Sequence, residues 1–141
     1  LKFDEYDHQT QYELFKDVNN LIKGVPLNNS MLDILILMIT DRSQFIRGIA
    51  VCLLEQIVVK DCIADSLAIY MMGYLINLLQ DDYRSVREGA LNVIDNMFNN
   101  KKMSRHVKKE YIDRLKAIVI EPGQPAREAI LYLIYNFGDN I

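Results

Sequence analysis

Apolar residues recur along this chain at helical spacing. Leu35, Met38 and Ile39 follow the i, i+3, i+4 pattern of a helix with one buried face. Ile46, Ala50, Leu54 and Ile57 repeat it, and so do Val86, Ala90, Ile94 and Met97. The periodicity predicts helices over 30–39, 43–60, 65–79, 83–99, 105–119 and 124–137. A further helix is expected over 9–23, which makes about seven and an all-α fold. The punctuation agrees. Ser30 and Ser104 can cap the helices that follow them, and Pro125 suits a first helical turn, where its missing N–H has no partner to lose. Gly123 marks a turn, and Gly24 and Gly138 stand where helices should stop.

The helices come in pairs on a fixed period. Three turns read Asp41-Arg-Ser-Gln-Phe-Ile-Arg47, Asp81-Asp-Tyr-Arg-Ser-Val-Arg87 and Glu121-Pro-Gly-Gln-Pro-Ala-Arg127, each 40 residues after the last. The register extends to both sides without gaps. Leu35, Leu75 and Leu115 share a column, as do Met38, Leu78 and Ile118, and Ile39, Leu79 and Val119. After the arginines come Ala50, Ala90 and Ile130, then Val51, Leu91 and Leu131, then Leu54, Ile94 and Ile134, then Ile57, Met97 and Phe137. Amphipathic helices at a common spacing align some apolar positions of necessity. They do not align an arginine, so the arginine column carries the repeat. Leu14 and Val18 lie 40 residues before Leu54 and Val58. The organisation expected is one domain over 1–141, with 1–24 the second helix of a truncated repeat and 25–60, 61–100 and 101–141 three full repeats.

These residues resemble the HEAT-repeat family, with armadillo repeats as close relatives. The family places an acid in the turn and a Val-Arg-x-x-Ala run at the start of the second helix. Asp81 with Val86-Arg87-Glu88-Gly89-Ala90 matches best, Ile46-Arg47-Gly48-Ile49-Ala50 follows, and Ala126-Arg127-Glu128-Ala129-Ile130 is looser. The resemblance covers nearly the whole chain. It implies a right-handed superhelix of antiparallel helix pairs, an α-solenoid, in which Asp41, Arg47, Asp81, Arg87, Glu121 and Arg127 form a structural ladder between repeats. The chain has no tryptophan and shows helix pairs, which favours the two-helix HEAT version.

Composition narrows the function. Of 141 residues half are apolar and a quarter charged, with three prolines, enough apolar residue for a real core. The net charge of −3 argues against a nucleic-acid partner, which binds by neutralised phosphates. No apolar run is long enough to span a bilayer. The chain begins at Leu1 and reads as a piece of a longer protein. Cys52 and Cys62 have neither CxxC nor metal spacing, and the expectation is two buried free thiols in a reducing compartment, cytoplasm or nucleus. No phosphate loop, nucleophile elbow or zinc motif occurs, and His8 and His106 read as surface residues. No enzymatic activity, cofactor or metal is expected. Lys101, Lys102, Arg105, Lys108 and Lys109 form the one basic run and read as a solvated face, without the interleaved aromatics of a stacking platform.

A repeated architecture lines up equivalent side chains, and the resemblance implies that the second helices line the concave side. Their outward columns are Gln56, Asn96 and Asn136; Cys52, Asn92 and Tyr132; Glu55, Asp95 and Tyr135; and Gly48, Glu88 and Glu128. An amide both donates and accepts, so a column of amides can hold a partner's backbone in either sense. The candidate partner-binding residues are therefore Gln56, Asn92, Asn96, Asn136, Tyr132, Tyr135, Glu55, Glu88, Asp95 and Glu128, the acids favouring a basic segment. The expected function is a scaffold or adaptor for a protein or peptide. The alternative is a microtubule- or nucleic-acid-associated HEAT module acting through the turns Thr40–Gln44, Gln80–Ser85 and Ile120–Gln124, which carry acids and no tryptophan. Uncapped terminal helices also offer a route to self-association.

Overall fold

The structure, a computed structural model, describes residues 6–13, 16, 29–60, 65–100, 103–118 and 120–138. It is all-helical, with no strand among the described residues. Helix α1 is seen at 8–13 and at 16. There follow α2 (Asn29–Ile39), α3 (Gln44–Lys60), α4 (Asp65–Leu78), α5 (Arg84–Asn99), α6 (Arg105–Ala117) and α7 (Arg127–Phe137). Side chains at 29, 30 and 60 are outside the description, as are Leu14, Val18, Gly24, Cys62, Lys101, Lys102 and Val119, so expectations that rest on them are not addressed.

The packing follows the pairing read from the sequence. Helix α2 packs on α3, α4 on α5, and α6 on α7. Each helix also packs on its equivalent in the next pair: α2 on α4, α4 on α6, α3 on α5 and α5 on α7. Two layers result, α2, α4 and α6 in one and α3, α5 and α7 in the other. The apolar columns lie between them. Leu35, Leu75 and Leu115 are all fully buried, and so are Leu54 and Ile94. Each such side chain contributes on the order of 1.5–3 kcal/mol by leaving water. The last pair conforms least. In the Val51, Leu91, Leu131 column, burial falls from 1% exposed at Val51 to 49% at Leu131.

Closest approach is between α3 and α5, and it depends on Gly89. A Cβ built there would collide with Cγ1 of Val51 and stand 3.3 Å from its Cβ, so any larger residue would push the helices apart. Phe98 of α5 ties the C-terminal elements together. Its ring meets Tyr111 edge-on at 5.8 Å and Phe137 at 4.9 Å, within the range where such pairs add to area burial. Tyr111, buried in α6, donates its hydroxyl to the Ala68 carbonyl of α4 at 2.7 Å. Burial pushes its phenol pKa up.

The helix ends explain the boundaries. Ser104 caps α6 as expected, its hydroxyl accepting from the Val107 N–H at 3.2 Å. The Ser104 N–H donates in turn to Asp65 Oδ1 at the start of α4, so one residue fixes two helix starts. Asp7 caps α1 by accepting from the Thr10 N–H at 2.7 Å, and this bond, ahead of the Thr10 side chain, lowers its pKa. Two expectations need correction. Pro125 precedes α7 rather than opening it, because residues 122–126 turn around Gly123, whose φ is +90°. Cys52 is not a buried thiol: it lies exposed on α3, off the apolar face.

Candidate functional site

The turns between paired helices separate structure from function. Asp41 Oδ1 accepts from the Ser43 N–H at 2.8 Å, and Asp81 Oδ1 accepts from the Tyr83 N–H at 3.0 Å. Each is the local Asp turn that holds its own corner. The arginines close the same corners. Arg47 Nη1 donates to the Asp41 carbonyl and Arg87 Nη1 to the Asp81 carbonyl, both at 2.8 Å. Arg47 then reaches across the repeat boundary and grips Asp81 with two bonds, Nε to Oδ2 at 2.8 Å and Nη2 to Oδ1 at 3.2 Å. Its guanidinium also lies 5.8 Å from the Tyr83 ring centroid.

The ladder implied by the family resemblance has this one complete rung among the described residues. Arg87 makes no equivalent bond to Glu121, which is exposed, and Arg127 donates instead to the Ile120 carbonyl at 3.2 Å. Glutamate carries its carboxylate one carbon farther out and does not form the tight turn that Asp41 and Asp81 make. Asp41 is the opposite exception. It is 2% exposed, yet its Oδ2 has no hydrogen-bond partner.

The candidate partner-binding residues sit on the layer of second helices, most of them facing solvent. Gln56, Asn92, Asn136, Glu88 and Glu128 are exposed, Tyr132 and Tyr135 more so than most large apolar side chains, at 44% and 84%. Glu55, Asp95 and Asn96 are half-buried. Structure brings two of them together: Tyr132 of α7 donates its hydroxyl to Asp95 of α5 at 3.2 Å. That hydrogen bond, then the carboxylate charge, raises the Tyr132 phenol pKa. Glu88 is engaged as well, accepting from Arg84 one turn earlier at 2.7 Å. The amide column is less uniform than the register suggests. Asn136 donates to the Tyr132 carbonyl of its own helix at 2.8 Å, and Asn96 is partly covered.

Two grooves run between neighbouring second helices. The groove between α3 and α5, about 340 Å³, is lined by Phe45, Gly48, Ile49, Cys52, Leu53 and Gln56 with Ser85 opposite. It is apolar and carries no charged side chain. The groove between α5 and α7, about 590 Å³, holds Arg84, Arg87, Glu88 and Glu128 beside Leu91, Pro125 and Tyr132. Phe45, 75% exposed, and Val59, 67% exposed, belong to this face and were not among the expected residues. Their signal was present in the sequence: both are apolar residues outside the apolar columns. The described members of the basic run lie elsewhere. Arg105, His106 and Lys109 are exposed on α6 in the other layer, and Lys109 pairs with Asp113 at 3.0 Å.

Among the described residues no group of three His, Cys, Asp or Glu side chains could hold a metal ion, and no helix is long and apolar enough to cross a membrane. No protein-family model, curated protein or solved structure matches the chain.

Proposed function

We propose that this chain is a segment of a HEAT/armadillo-type α-solenoid and serves as a protein-binding scaffold or adaptor without catalytic activity. Its partner surface is the layer of α3, α5 and α7. One observation carries this reading: the C-terminal halves of these helices present Glu55, Asp95, Gln56, Asn92, Tyr132 and Tyr135 with no Lys or Arg between Arg47 and Lys60, after Arg87 in α5, or after Arg127 in α7. A face of acids, amides and exposed tyrosines favours a cationic segment, through carboxylates and through the faces of Tyr132 and Tyr135. The adjoining apolar groove at Phe45 gives such a segment a place for an uncharged side chain.

The test uses a labelled lysine–alanine peptide and its glutamate–alanine counterpart, with backbone amide shifts followed by NMR. The reading expects salt-sensitive binding of the lysine peptide alone, with shifts confined to α3, α5 and α7. Glu55→Gln with Asp95→Asn should weaken it by about tenfold, the effect of removing two partly desolvated charges. Shifts that map to α2, α4 and α6, or no binding, would overturn the proposal.

A further inference from the structure

The second corner is built like the first and left incomplete. Arg47 and Arg87 occupy the same place in the register, and each donates Nη1 to the carbonyl of the acid at its own corner, Asp41 or Asp81, at 2.8 Å. That shared bond seats both guanidinium groups alike. On Arg47 the remaining edge, Nε and Nη2, takes the two carboxylate oxygens of Asp81 from the next corner. On Arg87 the same edge is open. Among the described residues its guanidinium makes no ion pair and no hydrogen bond beyond the one to the Asp81 carbonyl. Yet Arg87 is half-buried, in the wall of the groove between α5 and α7, with Pro125 of the third turn across from it. The acids of that groove are answered by a different cation. Glu88 accepts from Arg84 at 2.7 Å, and that bond, then more weakly the charge of Glu128, raises the Arg84 pKa.

We infer that the open edge of Arg87 is a receptor for a carboxylate of a partner protein, an aspartate or glutamate side chain that enters the α5–α7 groove and completes the rung from outside. The molecule holds its own template for this contact. Asp81 on Arg47 is a planar carboxylate met by Nε and Nη2 together, the paired geometry that a guanidinium offers and an ammonium does not. The groove has room for the incoming side chain, about 590 Å³, and Leu91, Pro125 and Tyr132 give it apolar walls that strengthen a charge pair formed inside. Tyr132 does not compete for the site, since its hydroxyl donates to Asp95. The inference does not rest on the cationic partner proposed above. It concerns the opposite charge, at the N-terminal end of α5, away from Asp95.

The side-chain Nε–H signals of the arginines, followed by NMR, test this. The probe is N-acetylaspartate methylamide, whose one charge is the side-chain carboxylate, titrated at constant ionic strength. The Arg87 signal should move and saturate with a Kd of about 1–10 mM, while the Arg47 signal, its edge filled by Asp81, stays in place. Arg87→Lys keeps the charge and removes the fork, and should weaken the probe at least about tenfold with the helical circular dichroism unchanged. The parent's own shifts decide the matter even if that variant fails to fold. An Arg87 signal that does not move would overturn the inference. So would shifts that grow linearly and equally at exposed Arg84 and Arg105, the mark of non-specific ion association. Inorganic phosphate is the comparison probe, and tighter binding of phosphate than of the aspartate derivative would overturn the assignment to a carboxylate.

Discussion

At the scale of single residues, identical letters in the repeat do different work. Asp41 and Asp81 hold the same local turn, but only Asp81 receives an arginine from the neighbouring repeat. Arg47 and Asp81 are largely sheltered, with side chains 14% and 9% exposed, so removing one partner leaves the other charge poorly solvated. Arg47→Ala should therefore lower unfolding stability by about 3 kcal/mol. Asp41→Asn keeps the Oδ1 acceptor and removes a charge whose second oxygen has no partner, so its urea midpoint should move by less than about 1 kcal/mol equivalent. The glycines divide in the same way. A Cβ at Gly48 or Gly73 meets nothing, so alanine there should stabilise by about 0.5–1 kcal/mol through helix propensity. Alanine at Gly89 should destabilise despite the same propensity gain, because Val51 is stiff and stands in its way. Urea melts of the three variants give the ranking directly.

At the scale of elements, α6 is held by a cap and by one buried hydroxyl. Ser104→Ala should lower stability by about 1 kcal/mol, since it leaves the Val107 N–H without its acceptor. Tyr111 gives a pH signature. Its phenol is held above the ordinary value by burial, so the folded state keeps a proton that the unfolded chain releases. The sign follows: stability from this group is complete below about pH 10 and declines as pH rises past the unfolded value, by at most about 1.4 kcal/mol per unit. Tyr111→Phe should lose about 1 kcal/mol at neutral pH through the Ala68 hydrogen bond and show a shallower alkaline decline than the parent. Equal alkaline slopes in chemical denaturation would contradict the burial argument. Among α2 to α7, helix α7 buries the fewest residues. It buries only Ile130 and Leu133, where α5 buries six residues. Hydrogen exchange should find its amides opening well before those of α5.

At the scale of the whole molecule, the helix pairing, the two layers and the arginine at each corner were legible in the sequence. They follow from local rules: a period of 3.6 residues decides which face is apolar, and a period of 40 decides which helices are equivalent. For α2 to α6 the expected helix limits agree with the structure to within two residues; at α7 the turn around Gly123 delays the start to Arg127. The outward face of the second helices was legible too, because whatever the apolar columns do not claim must face away from them. What the sequence did not settle was how that face is used up internally. The Tyr132–Asp95 bond, the Arg84–Glu88 pair and the turn of Asn136 back onto its own helix depend on where side chains land between neighbouring helices. So does the failure of the Arg87–Glu121 rung, where the third turn is reshaped around Gly123 and leaves Glu121 exposed. Periodicity by itself determined the elements and their faces, since those depend on residue spacing along one helix. Only the tertiary structure decided which ladder rung closes, why Gly89 has no side chain, and which apolar residues stay in water. Those outcomes depend on distances between segments about one repeat apart, where a single carbon atom changes whether two groups meet.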